Sequence, residues 1–233
     1  METTQFPELP QHKHAILSEA YNAIDANAIK LLSLDVSDTL LFRRCKNRSD
    51  VLFYQHALLI EKKLIPLAMD QWEWFELRSS AEEEARKKAT NLCREVSIEE
   101  IYTQIPKSML KEKNIHALIH TEIEAEKTVI EVDPYIAQLI LYAAKKDLPY
   151  ICVSNTFYNT EQLKDLISFA YKKQKNILPN PLFLFASSDF RENKNHKLFS
   201  IILGRVYNSS PTPTCRGLSA ASRRSKSTTN IFI

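Results

Sequence analysis

The chain has 233 residues, of which 44% are hydrophobic and 25% charged, and a net charge of +3. That suits one α/β domain with an insertion and is ordinary for a globular protein. No apolar run approaches the roughly 18 residues of a membrane helix. The first residues carry prolines and charges instead of a signal-peptide core. Cys45, Cys93, Cys152 and Cys215 show no CxxC or CxxxH spacing, so a disulfide framework or a zinc site is not expected, and a reducing cytosol is the simpler setting.

In chain order, Ile16, Leu17, Ala20 and Ile24 recur at helical spacing and predict a lead-in helix within residues 1–30. Leu31, Leu32, Ser33 and Leu34 then read as a short buried strand that delivers Asp35 at its C-terminal end. Asp70 with Glu73, and Ser97 with Glu100, have capping-box spacing, and the first predicts a helix through Lys88. Glu82, Glu83 and Glu84 precede Arg86, Lys87 and Lys88 by four residues, the mark of a solvated helix face. Trp72, Trp74 and Phe75 are expected as core beneath it. Ile115, Leu118, Ile119, Glu122 and Ile123 share a register over 112–130. Asp133 followed by Pro134 predicts an N-cap and first helical position. Tyr150–Val153 is the next strand, closed by Ser154, Asn155 and Thr156. Asn159 with Gln162 opens another helix, Leu182–Ala186 is a third strand, and 197–203 is helical. Strands alternate with helices at both ends, with helices alone from about 50 to 130, which predicts a parallel α/β core carrying a helical insertion.

Two compositional features stand apart. Both glycines, Gly204 and Gly217, lie near the C-terminus, so turns that need positive φ must use Asn or Asp, and no phosphate-binding glycine loop exists. From Gly204 onward there are also five cations and no acid. This Ser-, Thr- and Arg-rich stretch, 204–233, is expected to be solvated and disordered. It has no aromatic interleaving or amphipathic period, so no nucleic-acid partner is expected.

Taken alone, Asp35 reads equally well as a turn cap, and Ser154 as a turn hydroxyl. Together the segments resemble the motifs of the haloacid-dehalogenase-like (HAD-like) hydrolases. Leu31–Leu40, LLSLDVSDTL, resembles the first motif, Ser154 in VSNT the second, and Lys194 in SSDFRENKNHKLF the third. Phe75-Glu76-Leu77-Arg78, Ala81-Glu82, Ala85-Arg86 and Glu100-Ile101-Tyr102 resemble the helical cap of a subgroup whose first motif reads D-x-F-D-T-L-L.

The resemblance implies a Rossmann-like core at 31–41 and 133–203 and an all-helical cap at 42–132. It also implies Asp35 as nucleophile, Thr39, Ser154 and Lys194 as catalytic partners, and Ser154, Asn155 and Lys194 as the phosphate site. Mg²⁺ would be held by Asp35 and the Ser37 carbonyl. The substrate would be a small phosphorylated metabolite or another small-molecule ester, and the reaction phosphomonoester hydrolysis through an aspartyl-phosphate.

Two departures from that pattern imply weak or impaired activity. Ser37 stands where the family places its general acid, and a serine hydroxyl is far too weak an acid for that task. No Asp or Glu follows Lys194, so the acidic fourth motif is missing. Asp38 is one position late and, in an extended backbone, would face the other way. A catalytically silent binding module and a truncated gene remnant are the alternatives.

Overall fold

The structure, a computed structural model, describes residues 11–47, 49–89, 94–111, 114–173, 178–192, 198, 201–202 and 231–232. Chain order runs from α1 (Gln11–Asp25) to β1 (Leu32–Leu34) and β2 (Leu41–Arg43), then through α2 (Asp50–Glu61), α3 (Gln71–Lys88), α4 (Ile98–Tyr102) and α5 (Ile115–Val129). It continues with β3 (Ile130–Val132), α6 (Pro134–Lys145), β4 (Tyr150–Ser154), α7 (Thr160–Lys173), β5 (Phe183–Ala186), α8 (Ser187–Phe190) and β6 (Ile231–Phe232).

The core sheet has the order β5-β4-β1-β6, and all its pairings are parallel. Parallel neighbours need long crossovers, which α7 supplies between β4 and β5. Alternation along β4 divides two hydrophobic clusters: Tyr150 and Cys152 join Leu32 and Leu34 in the larger, Ile151 and Val153 join Phe185 in the smaller. The fold is therefore α/β with a parallel sheet, as the strand–helix alternation predicts.

The insertion rises on a two-strand stalk that the sequence did not announce. β2 and β3 pair antiparallel, with Leu41 opposite Val132 and Arg43 opposite Ile130. Among the described residues between them all regular structure is helical, α2 to α5 with a 3₁₀ turn at Lys107–Met109. The predicted caps form. Asp70 Oδ1 accepts from Trp72 N and Glu73 N at 2.7 and 2.9 Å, while Glu73 returns a bond to Asp70 N. Ser97 and Glu100 make the same reciprocal pair, and Asp133 caps α6 with Pro134 in its first turn.

Several expectations need correcting. Trp74 is buried as cap core, but Trp72 is 58% exposed and Phe75 lines a cleft. Glu82 pairs with Arg86 and Glu83 with Lys87, yet Glu82 also reaches inward to Arg78 and Lys88 turns to Gln104. Positive φ occurs at Asn27, Asp38 and Asp147, as the missing glycines require, and also at Lys63 and Arg191. Residues 203–230 lie outside the described residues, but Ile231–Phe232, expected within a solvated tail, instead pair with Leu32 and Ser33 of β1. Of the helix expected over 197–203, Leu198, Ile201 and Ile202 are described, in helical conformation.

Four tyrosines make stability depend on alkaline pH. Tyr102, Tyr150, Tyr158 and Tyr171 are buried, and burial is the main cause that raises each hydroxyl's pKa. Stability from a raised pKa is fully present below the unfolded value of about 10 and is lost as pH rises above it. The unfolded chain then releases protons that the fold retains, at a cost of up to about 1.4 kcal/mol per pH unit per tyrosine. Urea midpoints should stay level to about pH 9 and fall steeply above about pH 10.

Candidate active site

Asp35 is the first residue beyond β1, half-buried, and its Oδ1 accepts from Val36 N at 2.6 Å. The backbone then doubles back. Leu40 N donates to Asp35 O at 3.3 Å, and Leu41 N to Val36 O and Asp38 N to Leu41 O both at 2.8 Å. Asp38 sits at the bend with φ 58°, a conformation that costs most residues but that Asp tolerates. The extended path expected at Asp38 is thus replaced by a turn. Its side chain is 76% exposed and lies 3.5 Å from Arg43. Thr39 is half-buried within the same turn, its N–H donating to Val36 O. Six residues after β1 the chain has been redirected into β2 and the insertion.

Ser154 ends β4, the strand beside β1. With Leu34 opposite Cys152, Asp35 is level with Val153 and Ser154 lies one residue further out, at the same end of the sheet. Alternation sends Asp35 toward the Val153 face and Ser154 toward the Cys152 face. A ligand above the strand ends, not direct contact, would join them. Ser154 is fully buried, and among the described residues nothing partners its Oγ. A buried hydroxyl left this way costs about 1–3 kcal/mol. Asn155 next to it is exposed. Lys194 lies outside the described residues.

The loop after Ser154 is pinned from both sides. Thr156 N donates to Ser187 Oγ at 2.9 Å, Ser188 Oγ to Tyr158 O at 2.6 Å, and Thr160 N to Asp189 Oδ2 at 2.9 Å. Opposite them, Ile98 N of cap helix α4 donates to Phe157 O at 2.9 Å. The α8 side chains Ser187, Ser188 and Asp189 therefore hold the β4 loop, which also touches the cap. Asp189, which with Glu192 is one of two acids shortly before Lys194, is engaged in this clamp.

Phe157 and Tyr158 project into a cleft of about 290 Å³ between the core and helices α2, α3 and α5. Its charged walls are Arg43, Arg78, Glu82, Glu122 and Glu126. Arg78 meets Glu122 through two bonds, at 2.8 and 2.9 Å, and Glu82 at 3.2 Å. Its guanidinium also lies over the rings of Tyr102 and Phe157, 5.3 and 5.2 Å away. Burial opposes the Arg78 charge most strongly, but Glu122, Tyr102 and Glu82 together outweigh it and raise the pKa above the usual arginine range. Arg43 bonds Glu126 at 2.7 Å; burial opposes its charge most strongly, but Glu126 with Tyr158 and Asp38 raises its pKa overall. Sequence reasoning missed these residues, although Glu122, a carboxylate inside the apolar register of α5, signalled that a buried cation must face it.

Asp35 and the Ser37 carbonyl would offer a divalent ion one carboxylate and one neutral oxygen. Mg²⁺ prefers near-octahedral oxygen coordination and usually takes one or two carboxylates. Asp38 points to solvent and Arg43, and no cluster of three His, Cys, Asp or Glu side chains able to hold a metal occurs among the described residues.

No protein-family model matches the chain, and no curated protein sequence is similar to it. Among the solved structures that overlap it are two at low identity. One, described as a dehalogenase with an intermediate complex, shares 12% identity over 79% of this chain and 74% of its own, with TM-score 0.43. The other, a HAD family enzyme from Bacteroides thetaiotaomicron, shares 15% over 78% and 80%, with TM-score 0.41. The α/β assignment stands on strand order and the helical insertion.

Proposed function

We propose that the protein is a HAD-like hydrolase that cleaves phosphate monoesters through Asp35, with impaired turnover. One observation carries this reading: Asp35 directly follows β1, Ser154 ends the adjacent parallel strand β4, and the chain enters the helical insertion just after Asp35, by way of β2. Ligands of open parallel sheets bind beyond the strands' C-terminal ends. In the proposed reaction an Asp35 oxygen forms a bond to phosphorus as the ester oxygen leaves. Water then cleaves the aspartyl-phosphate, releasing phosphate and restoring the carboxylate. The orphaned Ser154 hydroxyl supports a role in bonding a phosphoryl oxygen, and Lys194 would neutralise the transferring charge. With Ser37 in place of an acid, the leaving alkoxide takes its proton from water.

A second reading, a fold that binds its ligand without turnover, is favoured by Ser37 and by the lack of a metal-binding cluster among the described residues. The deciding experiment is release of phosphate from 4-nitrophenyl phosphate by the purified chain, with and without Mg²⁺, beside Asp35→Asn. A hydrolase gives a rate that Asp35→Asn abolishes. An equal rate in both proteins, or none in either, leaves the binding reading.

A further inference from the structure

One edge of the core sheet is open. β5 begins the strand order β5-β4-β1-β6, and among the described residues no strand pairs with its outer side. Leu182 N donates to Tyr150 O at 2.8 Å, so the main-chain groups of Leu182, Leu184 and Ala186 point inward to β4. Those of Phe183 and Phe185, alternate in the strand, point outward. Natural edges are commonly guarded by a charge or a proline, and Phe183-Leu184-Phe185-Ala186 has neither. Phe183 and Phe185 pack on the Ile151 side of the sheet, Leu184 on the side of Leu163 and Ile167. Leu182, which alternation places on the Leu184 side, is 54% exposed. With Leu184 and Ile167 it lines a groove of about 420 Å³ between the strand edge and α7.

This edge can pair with itself, and in one register only. In an antiparallel pair, residues that exchange N–H···O bonds must both point outward and stand opposite each other. A two-fold axis through Leu184 sets Phe183 against Phe185 of a second copy, and Phe185 against its Phe183, so every outward group finds a partner. An axis at Phe183 would enlist Pro181, which has no N–H. An axis at Phe185 would enlist Ser187, already in α8. The Leu184 register also puts Leu184 against its own copy on the α7 side, which carries the apolar groove floor across the axis. Charge agrees with it. The axis reverses α7 relative to its copy, so the wall order Glu161, Lys164 meets the order Lys164, Glu161, which brings unlike charges together along the seam.

We propose that β5 pairs antiparallel with β5 of a second copy about Leu184, joining two core sheets into one. Pairing over so short a strand buries less than the roughly 1,200 Å² of a stable interface. The dimer is therefore weak, with a dissociation constant on the order of 100 µM. Nothing in it depends on the hydrolase reading.

Sedimentation velocity of the full chain, from about 5 µM to about 1 mM, should show a monomer–dimer equilibrium and nothing larger, as a closed two-fold contact requires. Leu182→Lys sets a charge on the groove floor and should weaken association at least about fivefold. Leu184→Cys tests the register. Opposed residues of a non-hydrogen-bonded pair have Cα atoms about 4.5 Å apart, within disulfide reach. Mild oxidation should therefore join position 184 of the two copies, and peptide mapping separates that bond from any made by the four native cysteines. Leu182→Cys, opposite Ala186 in this register, should not cross-link to itself. If circular dichroism shows Leu184→Cys unfolded, Leu182→Lys, at an exposed position, carries the test. A chain still monomeric at about 1 mM, a dimer indifferent to Leu182→Lys, or a folded Leu184→Cys that forms no bond at position 184 overturns the proposal.

Discussion

The Ser37→Asp substitution should raise turnover of alkyl phosphates by about 10²–10⁴-fold, the usual contribution of a positioned general acid. Ser37 is half-buried two residues after Asp35 and lines a small void with Arg43 and Glu126. An aspartate there reaches the space in which a leaving oxygen would depart. Aryl phosphates, whose leaving groups need no proton, should gain little. Arg43 favours the ionised form of the new carboxyl, so the gain should be greatest at low pH and fade as pH rises through its pKa. Rates for 4-nitrophenyl phosphate and an alkyl phosphate, measured against pH, separate this from a general improvement in folding. Equal gains on both substrates would contradict it. So would a wild-type chain already turning over alkyl phosphates at an ordinary enzymatic rate, on the order of 10 s⁻¹.

Arg78→Met should destabilise the protein by about 3–5 kcal/mol, because it leaves a buried carboxylate without its cation. The side chains of Arg78 and Glu122 are 2% and 3% exposed, so solvent screens little of the loss. Tyr102 adds a 2.5 Å bond to Glu122, and Gln55 donates to Tyr102 at 2.6 Å, so the cap interior depends on this one carboxylate. For a chain of this length the midpoint of thermal unfolding should drop by roughly 6–20 °C. Arg78→Met combined with Glu122→Gln should recover most of it, since the orphaned charge disappears while an acceptor for Tyr102 remains. Thermal unfolding followed by circular dichroism decides the point. A double variant as unstable as the single would show that guanidinium packing, not charge pairing, holds the cap together.

The helices were legible because their signals are local. Asp70, Ser97 and Asp133 each announce an N-terminus within three residues of themselves, and each caps its helix. Asp35 and Ser154 were legible as strand-end residues because short apolar runs precede them. β2 and β3 were not, since three-residue strands have no period to read and their partners are 87 or more residues apart in sequence. β6 was hidden by its surroundings, with Ile231 and Phe232 closing a Ser- and Arg-rich stretch. The cleft escaped for a similar reason. Arg78 and Glu122 are 44 residues apart, and charge patterning along one helix describes the solvated side of α3 but not the pair beneath it. The φ of Asp38 could be anticipated only in kind: without glycine some Asn or Asp must take the left-handed region, but which one depends on where β2 begins.

The glycine-free stretch also bears on the state from which the protein folds. Glycine gives up more backbone freedom on ordering than any other residue, roughly 0.5–1 kcal/mol relative to alanine. Through its first 203 residues the unfolded chain has no such swivels, so it samples a narrower ensemble and loses less on collapse. Against that gain stand the left-handed turns at Lys63 and Arg191, each about 1–2 kcal/mol less favourable than glycine would be. The protein thus carries small, local strain in its finished turns and begins from a stiffer, less entropic coil.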